Sequence, residues 1–309
     1  MATFYRFKPI EDPSLAQQSL LRKGEEIKAK GLLIVSRQGV NGTITGTSEV
    51  VDGYIGFIEE WLGEKFDNIK RSQALTPPFK RMGVRLSREL ITFGPAEADP
   101  SVAETGTYVA PRDWNQLIER DDVLLIDTRN DYETFAGSFE GAIDPDIKTF
   151  SEFVDYTEKH LSAERSPRIA MFCTGGIRCE VASAYLLHKG FKEVFHLRGG
   201  ILKYLEEVPE DESRWHGECF VFDQRVTVDH RLGQGSYQLC NACSWPVPIA
   251  DAAKYGGGAT CAHCDPILSD EHRARVLERW RQRQLKRQRE STAAKSNGNA
   301  SNLESQGVD

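Results

Sequence analysis

The 309-residue sequence contains no run of about 18 consecutive apolar residues, the minimum for a helix that crosses a bilayer. It opens Met1-Ala2-Thr3-Phe4-Tyr5-Arg6, without the apolar core and small-residue cleavage site of a secretory signal. No membrane partner is expected, and a cytoplasmic location is. Internal repeats are absent. There is no Gly-x-Gly-x-x-Gly fingerprint and no assignable His/His/carboxylate set, so the residues themselves name no dinucleotide or iron site. Basic residues are outnumbered, 39 Lys and Arg against 46 Asp and Glu, which taken globally argues against a polyanionic partner.

The distribution of charge reverses that argument. Residues 271–290 carry eight Lys/Arg and three Glu, a local excess of five positive charges in a chain of net charge -7. From Asn68 to Arg88 the basic residues Lys70, Arg71, Lys80, Arg81, Arg85 and Arg88 occur with no acid among them. Local basic surfaces decide phosphate binding more than global charge does. Surface solubility is the alternative for both segments.

The pattern predicts a multidomain chain, part α+β and part α/β. Over 1–95, a strand at Thr3–Pro9, a helix at Pro13–Lys30, strands at Leu32–Ser36 and Thr43–Thr45, a Ser48-capped helix to Leu62 and a strand at Val84–Phe93 give the order β-α-β-β-α-β of a ferredoxin-like sandwich. Residues 96–110 read as a linker. Over 111–210, apolar strands at Val123–Ile126, Arg168–Phe172 and Glu193–Leu197 alternate with helices at Phe150–His160, Arg178–Lys189 and Ile201–Glu207. That alternation predicts a parallel sheet. Residues 211–270 form a Cys-rich region, 271–290 a basic helix and 291–309 a disordered tail.

Seven cysteines are present, four of them in Cys240-x-x-Cys243 and Cys261-x-x-Cys264. Two such knuckles close a tetrahedral four-sulfur site, so a structural zinc is expected. A redox dithiol is the competing reading, and His263 could replace one ligand. The other three cysteines are Cys173, Cys179 and Cys219, the last expected in the core.

The strongest local signal is Cys173-Thr174-Gly175-Gly176-Ile177-Arg178. A buried strand delivers Cys173 to the carboxyl edge of the sheet, where sites form in such folds. Gly175 and Gly176 let a short loop wrap the sulfur with N–H groups pointing inward. The following helix N-terminus and Arg178 add positive charge, and every contribution favours thiolate. Such a cradle would also stabilise a persulfide anion. Asp127 and Arg129, at the end of another strand, either hold this loop or touch substrate. Cys179 either packs in the helix or resolves an oxidised Cys173. Phe79 and Tyr5 either pack or stack on a base.

Four motifs together resemble the rhodanese domain: Leu124–Arg129, Gly137–Ala142, Cys173–Arg178 and Leu197–Ile201. The wider chain, to about residue 270, resembles the bacterial tRNA uridine(34) hydroxylase family. Gly39-Val40-Asn41-Gly42-Thr43, Lys80-Arg81-Met82-Gly83-Val84-Arg85, the loop through Cys179, Phe220-Val221-Phe222-Asp223 with Arg225, and the cysteine pairs carry that likeness. The resemblance implies oxygen-dependent hydroxylation of the wobble uridine to 5-hydroxyuridine, with molecular oxygen as co-substrate, an unspecified electron source and the tRNA anticodon loop as partner. Cys173 and Arg178 become the catalytic candidates, with Thr174, Gly175, Gly176, Ile177, Asp127 and Arg129 in support. The 68–88 stretch and the 271–290 helix would meet tRNA phosphates, and a wobble base, already unpaired, is cheap to extrude. Two further readings stay open: a sulfurtransferase moving persulfide sulfur from Cys173 to a small thiophile or tRNA, and an RNA-binding module with an idle rhodanese domain.

Overall fold

The computed structural model describes residues 1–73, 79–165 and 168–303. They fall into two compact units, Met1–Gly235 and Ser236–Asp309.

The first unit begins with a five-stranded sheet. Strands β1 (Ala2–Phe7), β2 (Lys30–Ser36), β3 (Gly39–Thr45), β4 (Lys70–Arg71) and β5 (Met82–Leu86) lie in the order β4-β1-β3-β2-β5. Helices α1 (Pro13–Glu26) and α2 (Ser48–Leu62) alternate with them along the chain. The Asp12 carboxylate caps α1 by accepting from the N–H groups of Ser14 and Leu15 at 3.0 Å, and Pro13 fits the first turn. Apolar positions of the helices and sheet, among them Phe4, Leu20, Leu33, Ile44 and Ile58, bury together as one core.

The sandwich is as expected; its closing strand is not. The strand that completes it beside β1 is the two-residue β4, while Met82–Leu86 adds a fifth strand parallel to β2 on the opposite edge. A two-residue strand leaves no alternation for a sequence to display. Helix α1 also stops at Glu26 instead of reaching Lys30, since Lys28 takes the left-handed conformation at φ 58°. Thr47, not Ser48, caps α2.

A second sheet is wholly parallel, in the order β6-β10-β9-β7, from β6 (Thr107–Val109), β7 (Leu124–Asp127), β9 (Arg168–Phe172) and β10 (Glu193–Leu197). Short β8 (Gly137–Phe139) lies outside it, and α3 (Pro111–Ile118), α4 (Asp131–Thr134), α5 (Phe153–His160), α6 (Ile177–His188) and α7 (Gly200–Glu207) fill the connections. The end of the expected linker is therefore the edge strand β6. Phe93, expected in the first sheet, packs with Phe150 and Tyr185 in the second core.

Residues 211–235 also belong with this unit. Strand β11 (Trp215–Gly217) pairs with β8, and β12 (Cys219–Phe220) pairs with β13 (Thr227–Val228). Cys219 is fully buried there, as expected. The second unit holds the hairpin β14 (Tyr237–Leu239) and β15 (Pro246–Pro248), then α8 (Asp270–Leu303). The basic helix thus runs beyond 290, and residues 291–303, expected as disordered, are helical. Ala293 and Ala294 favour that state, and Gly298 costs the helix only about 1 kcal/mol. Residues 304–309 of the expected tail lie outside the described residues. Among the described residues no helix is long and apolar enough to cross a membrane.

Candidate active site and candidate metal centre

Cys173 follows β9 directly, and its sulfur lies 3.0 Å from the donating N–H of Gly176. Gly176 sits at φ +102°, the conformation that turns that N–H inward. Helix α6 starts at the next residue, so its N-terminus faces the sulfur. Burial would push the Cys173 thiol up. The donating Cys179 thiol, the Arg178 guanidinium and the N–H groups of Gly176 and Cys179 outweigh burial and hold it well below the usual thiol range. Cys179 is displaced the other way: burial and the charge on Cys173 keep it protonated. Its sulfur also lies 3.5 Å from the Thr128 hydroxyl. The two thiols are thus pushed in opposite directions, Cys173 toward the thiolate and Cys179 toward the thiol.

Arg178 does not stand free beside the sulfur. Glu133, in the one-turn helix α4, accepts from both its terminal nitrogens at 2.5 and 2.7 Å, and both groups are buried. The Thr174 hydroxyl donates to the same carboxylate at 3.2 Å. Asp127 and Arg129 form a second, fully buried pair. Arg129 donates to both Asp127 oxygens at 2.9 and 2.6 Å and to the carbonyls of Glu133 and Gly137 at 3.3 and 2.6 Å. That pair fixes the turn carrying Glu133, Glu133 fixes Arg178, and Arg178 stands by the sulfur.

The loop leans on α7. The Cys173 and Thr174 carbonyls accept from the N–H groups of Ile201 and Leu202 at 3.0 and 3.2 Å. A Cβ on Gly200 would fall 2.4 Å from the Cys173 carbonyl oxygen, so the approach requires glycine. The first sheet closes the other side. Lys70 donates to the Thr174 carbonyl at 3.2 Å, and the Tyr5 hydroxyl donates to Glu180 at 2.7 Å. Burial pushes Glu180 up to about 7 although Tyr5 and Tyr108 both donate to it. Cys173 is left 1% exposed.

In sequence Lys70 stands with Arg71, Lys80, Arg81, Arg85 and Arg88. Lys70 instead lies at the thiol loop, and Arg71 pairs with Asp52 at 2.5 Å. Lys80, Arg81, Arg85 and Arg88 are exposed. Tyr5 is engaged with Glu180, and Phe79 is half-buried. Glu133, Glu180 and Tyr108 escaped the sequence reading. One signal was available for the first: a buried arginine demands a carboxylate, and Glu133 follows Asp127 closely.

In the second unit the sulfurs of Cys240, Cys243, Cys261 and Cys264 all lie within 4.8 Å of one another. The separations Cys240–Cys264, Cys243–Cys261 and Cys261–Cys264 are 3.8, 3.7 and 3.7 Å. Sulfurs bound to one tetrahedral ion at about 2.3 Å stand about 3.8 Å apart, whereas a disulfide needs about 2.05 Å. The four residues fit a metal. His263 stacks on Trp245 with ring centres 3.9 Å apart, outside the ligand set.

Residues 1–90 match the UPF0176 acylphosphatase like domain, and residues 110–207 match the rhodanese-like domain. The tRNA uridine(34) hydroxylase of a Picosynechococcus strain is 46% identical over 284 residues, which are 91% of this chain and 95% of that protein. The tRNA uridine(34) hydroxylase of Acinetobacter baumannii is also 46% identical, over 92% of this chain and 90% of that one. Among solved structures, the rhodanese-like domain of an Anabaena protein is 19% identical with a TM-score of 0.30, covering 37% of this chain and 80% of that one.

Proposed function

This chain belongs to the tRNA uridine(34) hydroxylase family, and from that membership we propose that Cys173 is the reactive centre at which uridine 34 of tRNA becomes 5-hydroxyuridine. The reaction uses molecular oxygen. One oxygen atom enters the base, and the other leaves as water after taking up two electrons and two protons from a donor. The observation that carries the reading is the sulfur itself, which accepts from Gly176 N–H at 3.0 Å and is drawn toward the thiolate by Cys179 and Arg178.

A thiolate is the form that attacks. Added to C6 of the uracil ring, with the C5–C6 π pair moving to C5, Cys173 would enrich in electrons the carbon to be hydroxylated, and would leave C6 again as thiolate when the C5 proton is lost after oxygenation. Arg178 supports the charge without titrating, because the Glu133 carboxylate outweighs burial and holds the guanidinium charged. Thr174, Gly175, Gly176 and Ile177 form the cradle; Asp127 and Arg129 hold Glu133. The exposed Lys80, Arg81, Arg85 and Arg88 offer phosphate contacts around an anticodon loop, and the arginine-rich first half of α8 offers more. Cys240, Cys243, Cys261 and Cys264 would hold a zinc ion, and since four thiolates complete a tetrahedral set, its role would be to fold the second unit. A cytoplasmic site of action follows from the tRNA substrate.

The experiment is nucleoside mass spectrometry of tRNA from cells lacking the gene and complemented with wild type, Cys173→Ala or Cys173→Ser. 5-Hydroxyuridine and its derivatives return only with wild type. Their return with either variant removes Cys173 from the chemistry. Loss of a thiolated nucleoside instead would favour the sulfurtransferase reading, which shares every loop residue.

A further inference from the structure

We propose that Lys70, carried by the N-terminal domain, is a positioning residue of the thiolate loop and not one of the RNA-contacting cations. The proposal rests on the reading of Cys173 as the reactive sulfur. In sequence Lys70 is indistinguishable from its basic neighbours. In the structure it parts from them. Successive residues of a strand point to opposite faces, and in β4 Arg71 turns outward to Asp52 while Lys70 turns to the loop. Its Nζ lies 3.2 Å from the Thr174 carbonyl oxygen and 3.1 Å from where a Cβ on Gly175 would stand.

Lys70 makes no ion pair with a carboxylate among the described residues. Lys70 is half-buried, and drawing part of an ammonium group out of water has a cost that charge or hydrogen bonds must offset. The charged groups acting on it are Cys173 and Glu206, which favour the cation, and Lys203, which opposes it; Cys219 is a core thiol with its pKa pushed up to about 12. Burial pushes Lys70 down to about 8, and the negative sulfur of Cys173 is the largest opposing influence. The effect is mutual: a thiolate keeps Lys70 charged, and charged Lys70 keeps the thiol ionised. The hydrogen bond to Thr174 does a second thing. It pins the peptide next to Cys173, with the Leu202 N–H on the same carbonyl, so that the loop curls and Gly176 N–H meets the sulfur.

The sulfur has other titratable neighbours: Arg178 and Cys179 on α6, the Tyr5–Glu180 pair bridging β1 and α6, and His196 on β10. Lys70 is the cation among these that comes from the N-terminal sheet. A rhodanese domain cut free of that sheet would therefore hold an incomplete site.

The test uses the full chain with Lys70→Met, Lys70→Gln and Lys70→Arg. Three quantities are read: the pH dependence of Cys173 alkylation by iodoacetamide, followed on its peptide by mass spectrometry; kcat and KM for tRNA; and the salt dependence of tRNA binding. Lys70→Met should raise the alkylation midpoint by about half a pH unit or more and lower kcat about tenfold. KM and the salt slope should stay unchanged, and Lys70→Arg should restore the midpoint. Lys70→Gln gives the same readouts should Met disturb folding. An unchanged midpoint overturns the proposal, and a salt slope reduced by about 1 would then make Lys70 a phosphate contact. Alkylation requires no hydroxylation, so failure here is distinguishable from retention of 5-hydroxyuridine in Cys173→Ala.

Discussion

Glu133 grips the Arg178 guanidinium with both carboxylate oxygens, at 2.5 and 2.7 Å, and both partners are buried, Glu133 completely. Removing one member of such a pair leaves an uncompensated buried charge. Glu133→Gln should cost about 3–5 kcal/mol of stability in urea denaturation. The double variant Glu133→Gln/Arg178→Met should recover a large part of that loss, because no bare charge remains. A single-variant loss below about 1 kcal/mol would show the pair to be solvated.

Gly200 is at φ +67°, with the Cys173 carbonyl oxygen 2.4 Å from the position of an added Cβ. Gly200→Ala therefore combines an unfavourable backbone conformation with a collision against the loop. A loss of about 1–3 kcal/mol is expected, together with slower Cys173 alkylation as the cradle opens. Wild-type melting temperature and alkylation rate would show that the loop can withdraw without consequence.

The pH behaviour combines two opposite signs. The Cys173 thiol is depressed, so its contribution to stability is present above its unfolded value of about 8.5 and is lost as pH falls through its folded value. Glu180 is raised to about 7. Its contribution is present below the unfolded value of about 4.3 and is lost as pH rises through about 7. Glu180→Gln should therefore be more stable than wild type at pH 8. Its Cys173 alkylation midpoint should shift down, since a neighbouring anion is gone. An upward shift would mean that Glu180 supports the thiolate through structure and not through charge.

Purified protein should contain one zinc ion per chain by elemental analysis. Cys261→Ser should lose it and lose the cooperative unfolding of the second unit. The sulfur separations of 3.7–3.8 Å match a tetrahedral ion. Metal-free protein with unchanged unfolding would return the cluster to the redox-dithiol reading.

Arg81 and Arg85 are exposed, whereas Arg71 already has Asp52 as partner. Arg81→Ala and Arg85→Ala should each weaken tRNA binding and reduce the salt slope by about 1. Arg71→Ala should change it less. Equal effects at all three positions would show that the Asp52 pair opens on binding.

The sequence by itself determined the parts whose signals are local. Apolar runs ending in polar motifs marked β7 and β9, because strands buried on both faces need nearly unbroken apolar residues, and the Arg198-Gly199-Gly200 turn marked the end of β10. Two glycines after Cys173 marked the loop, because few other residues bend that sharply. Paired cysteines marked the four-sulfur cluster, because knuckle spacing is fixed by sulfur geometry. Tertiary structure decided what depends on distant segments meeting. Strand β4 is too short to have a pattern and forms only because β1 offers an edge. Glu133 is one acid among 46 until it meets Arg178, and Glu180 is a surface-like charge until Tyr5 and Tyr108 close over it. Lys70 is a phosphate-seeking cation in sequence and a partner of the thiol loop in space. Residue type sets what a group can do, but burial and the charge of its neighbours, which the chain acquires only on folding, set what it does.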